Sequence, residues 1–134
     1  MRRWGSILLA IALIAAVCVW IFGQDEPVEF TYRCKDLAVS TTDDPRVFRF
    51  ATTVDAIGSE PLSVEYNFGD DVVERVTWSE PNKSDGSSHR TAPHPHPYAS
   101  PGSYKVQARV AFSLEDGSYR IVTSSGCQET IKVV

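Results

Sequence analysis

Residues 62–71 read Leu62-Ser63-Val64-Glu65-Tyr66-Asn67-Phe68-Gly69-Asp70-Asp71, and the fold follows from this stretch. Val64, Tyr66 and Phe68 alternate with Ser63, Glu65 and Asn67. That period of two marks a strand with one apolar and one polar face. Gly69 permits a tight exit from the strand. Asp70 carries a side chain suited to capping the turn that follows.

A second stretch lies downstream: His96-Pro97-Tyr98-Ala99-Ser100-Pro101-Gly102-Ser103-Tyr104-Lys105-Val106. Ser100-Pro101-Gly102 is a turn, where Gly102 supplies a backbone conformation that a Cβ would resist. From Tyr104 to Phe112 the alternation is the clearest in the chain. Tyr104, Val106, Ala108, Val110 and Phe112 point one way, and Lys105, Gln107 and Arg109 the other. Tyr98 and Tyr104 offer large buried area with a polar tip.

On either side the same period recurs. Phe30–Ser40 is a first strand, with a break near Lys35-Asp36 where the inward parity changes. Val47–Val54 follows the Thr41–Pro45 turn cluster, and Gly58–Pro61 is a further turn. Val72–Ser79 is a strand with Val76 and Trp78 inward. Glu80–Pro97 is rich in Pro, Ser, Asn, Asp and His and reads as one long loop. Asp116-Gly117 is a type I′ hairpin signal leading to Tyr119–Ser124, and Cys127–Val134 is the last strand. About seven short strands, no amphipathic helix and no internal repeat predict an all-β antiparallel sandwich over residues 30–134.

The two quoted stretches resemble the PKD (polycystic kidney disease) domain family. The family shows Trp-Asp-Phe-Gly-Asp-Gly where this chain has Tyr66–Asp71. It shows His-x-Tyr, a Pro-Gly turn and Tyr-x-Val where this chain has His96–Val106. The matching positions are Tyr66, Phe68, Gly69, Asp70, His96, Tyr98, Gly102, Tyr104 and Val106. Tyr66 replaces Trp, Asn67 replaces Asp, and Asp71 replaces Gly, which leaves the shape of the turn after Asp70 open. The resemblance covers Leu37–Val134 and implies an immunoglobulin-like sandwich. It also implies a non-enzymatic module that contacts protein or carbohydrate, or acts as a spacer, on surface proteins.

The N-terminus speaks to location. Trp4–Gly23 contains no charged residue. At 1.5 Å per residue such a helix spans a hydrocarbon core of about 30 Å. Arg2 and Arg3 precede the run, and Gln24, Asp25 and Glu26 follow it. The positive-inside rule then places the N-terminus in the cytoplasm and the domain outside. Residues 1–23 are therefore expected to form a signal anchor at the cell membrane, and residues 24–29 a linker. A cleaved signal peptide, giving a secreted domain, is the alternative; its apolar core is usually shorter than this run. A lipoprotein signal ending at Cys18 is a third reading, disfavoured by Val17 before the cysteine.

All 17 acidic residues but only 11 of the 13 basic ones lie after Gly23, a balance of −6 in the domain. That acidity excludes non-specific nucleic-acid binding, which rests on basic patches. It argues equally against adhesion to anionic lipid. Cys34 and Cys127 lie near the two ends of the domain. Export permits a disulfide, and one between them would close a loop of over ninety residues. Free buried thiols or a metal pair are the alternatives.

Candidate chemistry is sparse. There is no Gly-x-Ser-x-Gly elbow, no His-Glu-x-x-His and no phosphate-cradling glycine loop, so an enzyme is not expected and no cofactor is implied. Asp70, Asp71 and Glu74 offer oxygen atoms to calcium. His89, His94 and His96 offer imidazoles to zinc or copper, although Pro95 and Pro97 extend the backbone, so His94 and His96 need not converge. A metal-binding surface protein is thus one alternative function, and a purely structural envelope component another. The expected partners are the membrane, through the N-terminal helix, and an extracellular protein or glycan.

Overall fold

The computed structural model describes residues 30–78 and 88–134. The membrane segment with Cys18, the 24–29 linker and residues 79–87 of the expected loop lie outside the described residues. Within them two antiparallel sheets face each other.

In the first sheet β1 (Thr31–Thr41) pairs with β2 (Val47–Ile57). The far edge of β2 pairs with β5 (Ser88–Arg90) and then with β6 (His94–Pro97). In the second sheet β4 (Val73–Thr77) pairs with β3 (Ser59–Asn67), and β3 with β7 (Gly102–Leu114). The far edge of β7 carries both β8 (Tyr119–Val122) and β9 (Gln128–Val133). A single 3-10 turn, Ser125–Cys127, leads into β9.

The core sits where the inward rows of β2, β3 and β7 meet. Phe50, Val54, Val64, Phe68, Val110 and Phe112 have no exposed surface. These are the residues that alternation aimed inward, and each aromatic ring buries enough area to make truncation cost about 3–5 kcal/mol. The parity change in β1 is a register shift between Cys34 and Asp36. One extra residue at Lys35 returns both Cys34 and Leu37 to the inner face, 4% and 2% exposed.

Cys34 is bonded to Cys127, with Cα atoms 5.9 Å apart, inside the span a disulfide needs. The bond ties β1 of one sheet to the 3-10 turn that precedes β9 of the other. Gly126 makes the approach feasible, since a Cβ there would lie 2.7 Å from the Lys35 carbonyl oxygen.

Three expectations are corrected. The described strands number nine, not about seven. The stretch from Glu80 to Pro97 is not one loop, because Ser88–Arg90 and His94–Pro97 pair with β2. Tyr98 N–H donates to the Arg46 carbonyl at 2.8 Å. With the register of β6 on β2, that bond sets Pro95 and Pro97 at positions that owe β2 no hydrogen bond. Their missing donors therefore face the open edge of the sheet, where prolines block further pairing. Finally, the Asp116-Gly117 turn is not type I′. Only Gly117 has a positive φ, 83°, while Gly117 N–H bonds the Leu114 carbonyl and Leu114 N–H bonds the Ser118 carbonyl. That is a type I turn closed by a left-handed glycine.

Candidate functional site

The two quoted motifs meet at one end of the sandwich. β3 delivers Tyr66 and Phe68 to the inner face, and the turn after it carries Asp70. Asn67 Oδ1 accepts from Gly69 N–H at 3.0 Å, Phe68 N–H donates to the Val72 carbonyl at 3.2 Å, and Asp70 Oδ1 accepts from Val72 N–H at 3.3 Å. Gly69 has φ 82°, and a Cβ there would lie 2.7 Å from the Lys105 carbonyl oxygen. Asp71 takes φ 67°, the left-handed conformation that glycine adopts freely and Asp tolerates. The turn therefore closes with Asp71 in the place of glycine.

From the facing sheet, β6 sends His94 and His96 inward. Their spacing of two residues puts them on one face, and Pro95 between them holds the backbone extended. His96 is 3% exposed and lies flat on Phe68, with ring centroids 3.8 Å apart and planes 4° from parallel. His94 lies parallel to Tyr66 and Phe68 at 6.0 and 6.2 Å between centroids. Each imidazole reaches a carboxylate on the other sheet: His96 Nε2 bonds Asp70 Oδ2 at 2.8 Å, and His94 Nε2 bonds Glu74 Oε2. An ionised carboxylate only accepts, so the proton on the His96 bond belongs to Nε2. Nδ1 of His96 is buried and has no hydrogen-bond partner among the described residues.

Two tyrosines complete the cluster. Tyr98 donates from its hydroxyl to the Phe68 carbonyl at 3.0 Å, and its ring packs 4.4 Å from that of Tyr104. Burial raises the Tyr98 pKa well above the ordinary phenol value, with the Asp70 carboxylate and Tyr104 adding to it. Tyr104 donates to the Ser100 carbonyl at 2.7 Å, bracing the turn that holds Gly102. Deeper in, the Tyr66 hydroxyl lies 2.9 Å from Thr52 Oγ1 and 3.4 Å from Thr91 Oγ1. Burial raises its pKa too, against the opposing pull of those two bonds. Val106 has no exposed surface.

The structure thus gathers Tyr66, Phe68, Gly69, Asp70, His96, Tyr98, Gly102, Tyr104 and Val106 into one packed unit that joins the two sheets. Asp71 is exposed, and His89 sits on β5 opposite Val54, away from the His94–His96 pair. Among the described residues no group of three or more His, Cys, Asp or Glu side chains is placed to hold a metal ion. Asp70 and Glu74 are occupied by the two imidazoles.

A second polar constellation lies outside, on the exposed face of the second sheet. Glu65 on β3 is flanked by Arg75 on β4 and Arg109 on β7, each donating to one of its oxygens at 3.3 Å. Alternation had placed Glu65 and Arg109 on the outer face. That they are cross-strand neighbours was not legible, because register lies outside the reach of periodicity.

This geometry defines a PKD-type β-sandwich, an immunoglobulin-like fold. The chain resembles in structure the PKD1 domain of Vibrio anguillarum Epp, seen in a crystal structure. The likeness covers 77% of this chain and 93% of that one, with a TM-score of 0.50 and 14% identity. At that identity it carries the fold alone. No protein-family model matches the chain, and no curated protein matches it.

Proposed function

We propose that the chain is a single-pass membrane protein presenting a PKD-like module outside the cell, where the module binds an extracellular protein or glycan. The observation that carries this reading is the Cys34–Cys127 disulfide between the two sheets. Such a bond persists in an oxidising compartment. The uncharged Trp4–Gly23 run and the Arg2-Arg3 pair before it supply the matching topology. The packed motif cluster joins the two sheets into one scaffold, and such scaffolds commonly carry binding residues on their loops.

The test has two parts. A membrane-impermeant amine reagent applied to intact cells should label the domain lysines, and the label should stay in the membrane fraction. Tagged full-length chain, cross-linked on cells and purified, should then bring down one extracellular species reproducibly. Labelling only after permeabilisation would overturn the topology and with it the function. Label found entirely in the medium would replace the anchor by a cleaved signal.

A further inference from the structure

The outer face of the second sheet runs against the charge of its domain. Arg75, Arg109, Lys105 and Lys132 all project from it, as alternation and register require. Against them stand Glu65, already shared between the two arginines, and Glu60 near the far end beside Ser113. Yet the chain beyond Gly23 carries a balance of −6. Cations are thus concentrated on one sheet face of an acidic domain, and such a face attracts and orients an anionic ligand.

The face also has shape. Ser63 and Ala111 are small and leave a cleft of about 260 Å³. Its walls are Glu65, Arg75 and Arg109 on one side and Ile121 on the other. Ile121 is 65% exposed, and Tyr119, two residues away on the same face, is 69% exposed. The side chains of Arg75 and Arg109 are 70% and 49% exposed. Each spends one donor on Glu65 and keeps the others for a ligand carboxylate, which a guanidinium binds in a two-pronged manner. Lys105 lies four residues from Arg109 on the same strand, about 13 Å along the face.

We infer that this face binds an anionic polysaccharide, a polymer of uronic-acid type whose successive carboxylates meet Arg75, Arg109 and Lys105 in turn. The inference rests on the extracellular reading above and names the ligand class for it. Cations spaced along a strand engage a repeating anion better than a single one, so affinity rises with polymer length. Asn67, Gln107 and Thr130 lie between the cations and offer the uncharged donors and acceptors that sugar hydroxyls require. The cleft on this face is walled largely by Glu65, Arg75 and Arg109, unlike the apolar pockets in which protein interfaces bury their anchors, which favours a glycan over an acidic peptide. The surrounding acidity turns away the denser charge of a nucleic acid.

The experiment titrates the full-length protein in detergent with fluorescent polygalacturonate oligomers of increasing length. Binding should tighten with length, weaken as salt screens the face, and be absent for a neutral dextrin. Arg109→Gln should weaken it at least about fivefold, and Arg75→Gln with Arg109→Gln more than tenfold. Arg49→Gln, on the other sheet, should change nothing, and all variants should keep the parent unfolding midpoint. No binding at any length, equal binding by the double variant, or equally tight binding of poly-glutamate would overturn the inference. If uronate binding fails while surface labelling and partner capture succeed, this inference alone falls. Cytoplasmic labelling removes the extracellular reading whatever the titration gives.

Discussion

The His96 imidazole lies flat against the Phe68 ring, centroids 3.8 Å apart, and couples β6 of one sheet to the end of β3 in the other. Its Nε2 simultaneously bonds Asp70 in the turn that follows Phe68. Replacing His96 by Ala removes both the stack and the bond and leaves a void against a fully buried ring. Chemical denaturation should show a loss of about 2–4 kcal/mol. Asp70→Asn keeps the turn and the shape but loses the charge-assisted bond, so it should cost about 1–2 kcal/mol. An Asn variant as damaging as the Ala variant would mean that the hydrogen bond to Asp70, not the packing, dominates.

The turn after Phe68 contains two left-handed residues of opposite tolerance. Gly69→Ala forces a Cβ to 2.7 Å from the Lys105 carbonyl oxygen at φ 82°, and should destabilise by about 2 kcal/mol or more. Asp71→Gly relieves the strain at φ 67° and should stabilise by about 0.5 kcal/mol after the entropy of the added glycine is counted. Urea midpoints of the two variants should move in opposite directions.

Removing the Cys34–Cys127 bond, with both cysteines changed to Ala, should lower stability by about 4–5 kcal/mol by the chain-entropy estimate for so long a loop. Reductant added to the parent protein should reproduce the loss. Unfolding curves that are identical with and without reductant would show the bond absent.

Stability should also fall in alkali. Tyr98 and Tyr66 keep their protons in the folded state past the pH at which they lose them unfolded, because burial raises both pKa values. A raised folded pKa contributes stability that is complete below the unfolded value near 10 and declines as pH rises beyond it. The urea midpoint should therefore drop above about pH 10. Tyr98→Phe should flatten that decline while costing about 1 kcal/mol at neutral pH through the lost bond to the Phe68 carbonyl. An unchanged alkaline slope in Tyr98→Phe would remove Tyr98 from this effect.

The cluster around Phe68 was partly legible in advance. Gly69, Asp70, His96 and Tyr98 stand in two ordered motifs, and alternation showed which way Tyr66 and Phe68 point. The pairing of His94 with Glu74 was not legible, since nothing local relates a residue on β6 to one on β4. The prolines at 95 and 97 suggested a loop because proline is rare in strands. They are accommodated because β6 is an edge strand whose missing donors face outward.

Alternation and composition alone set the inward rows of β2, β3 and β7, the parity break near Lys35-Asp36, the two cysteines and the sign of each segment's charge. These follow from local alternation and composition, which any stretch of chain carries with it. Only the tertiary structure decided which carboxylate each imidazole meets and that β5 and β6 join β2. It alone brought Arg75 and Arg109 together around Glu65. Those relations depend on strand register and on which sheet each strand enters. Both are fixed by contacts between residues far apart in the chain, and a shift of one residue would send every side chain to the opposite face.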